Sequence, residues 1–258
     1  MEDLRGKFAL VTGIANKRSI AYAIARDLAH YGARLAIAYL PTGKEAAEAK
    51  LRALAEELGA EAVLPLDVSD EASVRSLFQT LGERWGKLHV LIHSIAGAKR
   101  EELAGAFSDT SLEGYLLAQQ ISAYSLIGLV REARPWLAKE GGSVVTLTYI
   151  GSVRTTPNYN VMGSAKAALE SNMRYLAMEL GESGIRVNAV SAGPIRTLSS
   201  SGIRDFLDLI HGAAERSALK RNVNAEEVAH AAAFLASDLA SGVTGQVLYV
   251  DAGHNIFG

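Results

Sequence analysis

The chain has 258 residues, 49% of them hydrophobic, with 26 lysines and arginines against 28 aspartates and glutamates. Such a length and apolar content can bury one large α/β core, and a net charge of −2 offers no general attraction for nucleic acid or acidic membranes. Without a single cysteine, disulfide and thiolate–metal chemistry are excluded, and a reducing compartment fits.

The amino end is charged, and the apolar run at 8–11 is too short for a signal core or a membrane span, so a cytoplasmic protein without a membrane partner is expected. No linker or internal repeat divides the chain, which reads as one domain over 1–258. The six histidines are scattered without metal-pair spacing, so no metal is expected.

The run at 8–11, Phe8-Ala9-Leu10-Val11, is wholly apolar, as a strand buried on both faces of a parallel sheet should be. A loop from Thr12 and Gly13 follows and opens a helix at Ser19 and Ile20 that runs to Tyr31, with Ser19 as its N-cap. A dinucleotide phosphate would sit at that helix start, although Gly13 is the loop's only glycine and an ordinary strand-to-helix turn explains it equally. A strand at 34–39, a helix at 44–57, a strand at 62–66 and a helix at 69–84 continue the alternation, which implies right-handed crossovers and a parallel sheet. The second strand ends at Tyr39-Leu40-Pro41, with no acidic residue for an adenosine ribose and no arginine for a 2′-phosphate. The third ends at Asp67-Val68, where the carboxylate serves either an adenine amino group or a helix cap.

A fourth strand at 88–93 leads into Ser94-Ile95-Ala96-Gly97, small residues that let backbone approach a ligand. Thr110-Ser111-Leu112-Glu113 reads as a capping box opening a helix to about Leu137, with Pro135 distorting its last turns. A fifth strand at 143–148 delivers Tyr149. The helix from Tyr159 to Leu180 comes next, then a strand at 185–190, a lid at 198–218 with apolar Ile203, Phe206, Leu207, Leu209 and Ile210, a helix at 224–237 and a last strand at 246–250. The expected fold is a single-domain, doubly wound Rossmann-type sheet of about seven parallel strands with helices on both faces.

Tyr159 and Lys166 stand seven positions apart, close to two helical turns, so both emerge on one helix face about 10 Å apart along the axis. An amphipathic ring at a helix start and a snorkelling surface lysine would account for the pair in isolation. Against that, every candidate residue falls at the carboxyl edge of a parallel sheet or on the lid above it, where open α/β sheets bind ligands.

Thr12-Gly13, Asp67-Val68, the Tyr159-to-Lys166 stretch and Pro194-Ile195-Arg196-Thr197 occur in an order that resembles the short-chain dehydrogenase/reductase superfamily. Most of that superfamily has three residues between tyrosine and lysine and a glycine-rich loop. This chain has six, a loop ending Ser19-Ile20-Ala21, and Tyr149 ten positions before Tyr159. With the stretches at 157–163 and 186–197, the pattern resembles the bacterial enoyl-acyl-carrier-protein reductases of fatty-acid synthesis over essentially the whole chain.

The resemblance implies NADH as cofactor, an enoyl thioester on acyl-carrier protein as substrate, and a homotetramer. It implies Lys166 on the nicotinamide ribose, Ile195 on the carboxamide through its backbone, Thr197 by the pyrophosphate, and Met162, Phe206 and Ala98 along the acyl chain. Arg204 matches a basic position of the docking patch for the acidic carrier, but Leu207 and Asp208 stand where relatives often carry further cations, so weaker recognition, or recognition shared with other cations such as Lys99 and Arg100, is expected. The longer spacing suits the chemistry: in a 2-enoyl thioester the hydride goes to the β carbon while charge appears on the thioester oxygen two atoms further on, so the donor hydroxyl must move outward. Tyr159 is then the donor, and Tyr149 either a second donor or a wall of the acyl pocket. A 3-oxoacyl or alcohol dehydrogenase of the same fold, or a nicotinamide-binding regulator without turnover, are the competing readings.

Overall fold

The short apolar runs pair into one seven-stranded sheet, ordered β3-β2-β1-β4-β5-β6-β7 and parallel throughout. The computed structural model describes residues 4–197 and 205–257; of the expected lid, Leu198 to Arg204, including Ile203 and the docking candidate Arg204, lie outside them. Strands β1 (Phe8–Thr12), β2 (Arg34–Tyr39), β3 (Ala62–Pro65) and β4 (Val90–His93) alternate with helices α1 (Ile20–His30), α2 (Glu45–Glu57) and α3 (Glu71–Trp85). Then come α4 (Leu112–Gln119), α5 (Ser125–Leu137), β5 (Gly142–Thr148), α6 (Asn160–Leu180), β6 (Ile185–Ala192), α7 (Phe206–Arg216), α8 (Ala225–Ala236) and β7 (Val247–Val250).

Strand periodicity sends neighbouring side chains to opposite faces, so each face has its own core. Ala9, Val11, Ile37 and Val190 pack against α1 and α8 through Ile24, Leu28, Val228 and Ala232. Leu10, Leu91, Val144 and Ala189 pack against α3, α5 and α6 through Phe78, Leu126, Leu129 and Met173. Each of the larger side chains contributes about 1.5–3 kcal/mol by leaving water, which fixes both helical layers on the sheet. Order reverses between β1 and β4, and a crevice opens at that switch point, on the carboxyl ends of the strands.

Two local expectations are corrected. The helical stretch after Leu112 is not one helix distorted at Pro135: Pro135 lies inside α5, and the interruption is a π turn at Gln120–Tyr124. There the Ser125 hydroxyl donates to the carbonyl of Ile121 at 2.7 Å, and such back-bonding bends helices. Nor do Thr110 and Glu113 form a capping box. Ser111 is the N-cap, accepting from Gly114 N–H, while Glu102 from the preceding loop takes the Ser111 N–H at 3.2 Å and leaves Glu113 to pair with Lys99 at 2.6 Å. Among the described residues no helix is long and apolar enough to cross a membrane.

Candidate active site

The crevice is a cleft of about 740 Å³ that brings together the expected catalytic, cofactor and acyl-chain residues Gly13, Ser19, Ile20, Asp67, Val68, Ser94, Ile95, Ala98, Tyr149, Tyr159, Met162, Lys166, Ile195, Thr197 and Phe206, while Lys99, Leu207, Asp208 and Ile210 lie outside its lining. Backbone crowding explains the lone glycine of the first loop. Gly13 has φ +86°, and a Cβ there would lie 1.8 Å from the Ser94 carbonyl oxygen, so only glycine lets the turn after β1 touch the turn after β4. Thr12 completes the join, its hydroxyl donating to Ile92 O at 2.9 Å and accepting from Ser94 N–H at 3.2 Å.

Ser19 occupies the N-cap position of α1 but does not cap it. Its hydroxyl accepts from Ala15 and Asn16 N–H at 3.0 and 3.1 Å, drawing the loop back on itself. The start of α1 is therefore left without a side-chain cap where Ser19 and Ile20 line the cleft, as an anionic group at a helix start requires. Asp67 is not a helix cap either, since Asp70 caps α3 by accepting from Ala72 N–H. Asp67 instead closes a turn, accepting from Ser69 N–H at 2.9 Å and Ser69 hydroxyl at 2.6 Å, with its carboxylate on the cleft wall. The stretch after β2 lacks an arginine in sequence but has one in space. Arg52, from α2, donates to the Tyr39 hydroxyl at 3.2 Å, and that hydroxyl donates to Glu48 at 3.4 Å.

Lys166 is 6% exposed, so it is no snorkelling surface cation. Its ammonium donates to the carbonyl of Leu147 at 2.7 Å, and burial lowers its pKa to about 8 while the Glu170 carboxylate pulls the other way. Tyr159 precedes α6, flanked by Asn158 and Asn160 at φ 58° and 25°; asparagine tolerates this left-handed backbone, which turns the ring into the cleft. The ring is partly open to the cleft, yet its hydroxyl is desolvated, and burial pushes its pKa well above that of an ordinary phenol. Tyr149 meets it edge to face, ring centroids 5.0 Å apart. Burial pushes Tyr149 up to about 12, with a hydrogen bond to Thr156 acting against the shift. Both tyrosines stay neutral at physiological pH, so each keeps a hydroxyl proton to donate.

Two lining residues carried no signal in the sequence: Ile121 enters from the π turn and Leu103 from the stretch before α4, where Arg100 also reaches the cleft, and Leu209 joins Phe206 from α7. The Ser122 hydroxyl ties that turn to the loop after β4, accepting from Gly97 N–H at 2.9 Å. Among the described residues no group of three or more His, Asp or Glu is placed to hold a metal.

Residues 13–255 match the family described as Enoyl-(Acyl carrier protein) reductase. The chain is 54% identical to an NADH enoyl-[acyl-carrier-protein] reductase of Nostoc sp. over 258 residues, covering 100% of both chains. It superimposes on the Bacillus cereus enoyl-acyl carrier protein reductase, solved with NADP+ and an indole naphthyridinone, with a TM-score of 0.95 at 48% identity and 100% coverage of both. The corresponding reductase of Anaplasma phagocytophilum, solved with NAD, gives a TM-score of 0.94 at 42% identity, covering 100% of this chain and 97% of that one.

Proposed function

The chain belongs to the enoyl-(acyl carrier protein) reductase family, and from that premise we propose how its own residues carry the reaction. It is an NADH-dependent oxidoreductase of fatty-acid biosynthesis whose substrate is an enoyl chain linked to acyl-carrier protein. When bound, the nicotinamide cofactor supplies hydride to the β carbon of the enoyl thioester.

The cleft suits that cofactor: uncapped N–H groups at the start of α1 for phosphate, touching backbones at Gly13 and Ser94, and the Asp67 carboxylate beside Val68 for the adenine. Ser19, Ile20 and Thr197 would line the phosphates, Ile95 and Ile195 the nicotinamide end, and Lys166 the ribose hydroxyls. Reduction at the β carbon places negative charge on the thioester oxygen, and the neutral Tyr159 hydroxyl donates to that oxygen. One such donor in a water-poor cleft contributes about 3 kcal/mol to the barrier. The Lys166 charge lowers the cost of the same enolate electrostatically. Tyr149 is the wall that fixes the Tyr159 ring, and Ala98, Met162 and Phe206 receive the acyl chain. The observation that carries this reading is Lys166, buried on the Leu147 carbonyl, two turns from a desolvated tyrosine in one cleft.

In this reading residues 1–258 act as one dinucleotide-binding and catalytic unit, with a lid at 198–218, in the cytoplasm and with no nucleic acid or membrane partner. Leu112, Leu116, Tyr175 and Met178 on α4 and α6 are 74, 57, 78 and 85% exposed, an apolar surface that supports assembly into a homotetramer. Reductase turnover with crotonyl-CoA, but not acetoacetyl-CoA, and better efficiency with NADH than NADPH are expected. Preferential reduction of acetoacetyl-CoA would overturn the assignment.

A further inference from the structure

Behind the cleft lies a buried acid that no step above uses. Glu170 is 4% exposed, and its Oε1 accepts from the hydroxyl of Thr148 at 2.6 Å. It follows Lys166 by four residues on α6, so the two side chains leave the same helix face one turn apart. Their anchors are also consecutive: Lys166 holds the carbonyl of Leu147 and Glu170 the side chain of Thr148, the last two residues of β5. Two adjacent turns of α6 are thereby stapled to the carboxyl end of one strand, and only one staple reaches the reaction. A carboxylate buried this far from water is costly unless something nearby gains from its charge.

We propose that Glu170 is a positioning residue for the reduction: its carboxylate, one helical turn from Lys166 and fixed on the next residue of β5, keeps the ammonium charged for the cofactor ribose while the Leu147 carbonyl holds it in place. This rests on the reading of Lys166 given above. Among the described residues no other carboxylate acts on Lys166. From β4, His93 faces Lys166 but is bonded on both ring nitrogens, to Thr146 and Ser125 at 2.8 Å each, and burial first and the Lys166 charge second lower it to about 3, so it stays neutral. Tyr159 and Tyr149 share the cleft wall as neutral phenols. From β7, Tyr249 faces Glu170, raised by burial first and then by the carboxylates of Glu170 and Asp251, with Arg154 opposing. Thr148, Ser191 and Tyr249 are in register across β5, β6 and β7, and the outer two of these hydroxyl residues interact with Glu170. Burial already lowers Lys166 to about 8, with Glu170 its only opposing influence, so losing the carboxylate would cost the lysine its proton near neutral pH.

The test is the NADH dissociation constant, read by cofactor fluorescence between about pH 6.5 and 9.5. Wild type should weaken as pH rises past about 8. Glu170→Gln, which keeps shape and an acceptor for Thr148 but not the charge, should move that limb down by about one unit, the usual effect of a single near charge. Glu170→Asp, with its charge drawn back, should move it less. In a Lys166→Arg background the limb should vanish, and Glu170→Gln should have no pH-dependent effect, because arginine does not deprotonate in this range. A limb that stays in place in whichever of the two Glu170 variants folds overturns the proposal. If Lys166→Ala binds NADH as tightly as wild type, it is the ribose role of Lys166 that fails instead.

Discussion

Gly151 offers the sharpest check on how the tyrosine is held. It lies in the single turn at Ile150–Ser152 between Tyr149 and Tyr159, and a Cβ added there would lie 2.7 and 2.9 Å from Cδ1 and Cε1 of Tyr159 and 3.2 Å from Cδ1 of Tyr149. Ordinary carbon contacts begin near 3.4 Å, so Gly151→Ala must push the Tyr159 ring back by about 0.7 Å. The hydroxyl at the ring's far end then moves by a similar amount, enough to stretch a hydrogen bond of about 2.8 Å to roughly 3.5 Å and forfeit most of it. If that donor contributes about 3 kcal/mol, kcat should fall by roughly one to two orders of magnitude. Lys166 is anchored from the strand side, so the dissociation constant of NADH should stay within about twofold. Overpacking of this kind also costs about 1–3 kcal/mol of stability, several degrees of melting temperature in a chain of this size. Saturating kinetics with crotonyl-CoA, a fluorescence titration and a thermal melt read the three quantities separately. A variant that retained wild-type kcat would show that the ring is not held where its hydroxyl matters.

Other outcomes follow from the same geometry. Tyr159→Phe should slow turnover while sparing NADH affinity, whereas Lys166→Ala should weaken both; equal NADH affinity in the two variants would contradict the division of roles. His93 is buried neutral with its pKa lowered to about 3, against an unfolded value near 6.5, so the folded chain binds fewer protons and stability falls as pH drops through that window. By pH 5 the loss from this group alone is about 2 kcal/mol, and a melting temperature equal at pH 7 and pH 5 would refute it. Met178→Asp on the exposed face of α6 should lower the oligomeric mass seen by light scattering, and an unchanged mass would remove α6 from the interface.

The sheet was legible because its strands are buried on both sides and therefore apolar without interruption, as in Phe8 to Val11 and the stretch from Val144. The candidate site was legible where spacing alone puts two reactive side chains on one helix face, as with Tyr159 and Lys166, which meet in one cleft. What stayed hidden depends on partners distant in sequence. Ser19 was read as a cap from its position, but its hydroxyl is drawn to Ala15 and Asn16. Glu102, far from Ser111 in any helical pattern, takes over the role assigned to Glu113. Arg52 reaches Tyr39 only because α2 folds over the end of β2. Nothing in the sequence singles out Glu170 on its long helix; its burial and its bond to Thr148 do.

The contact between Gly13 and Ser94 bears on how this enzyme can be altered. Two turns whose backbones touch behave as one part: neither can be lengthened, given a side chain or exchanged for the glycine-rich loop of a relative unless the other is rebuilt with it. Variation at this end of the cleft must therefore arrive as paired changes after β1 and after β4, while the side that α7 lines with single side chains such as Phe206 and Leu209 can diverge one residue at a time. Efforts to retune the cofactor end and efforts to retune the acyl end thus face landscapes of different ruggedness within one pocket.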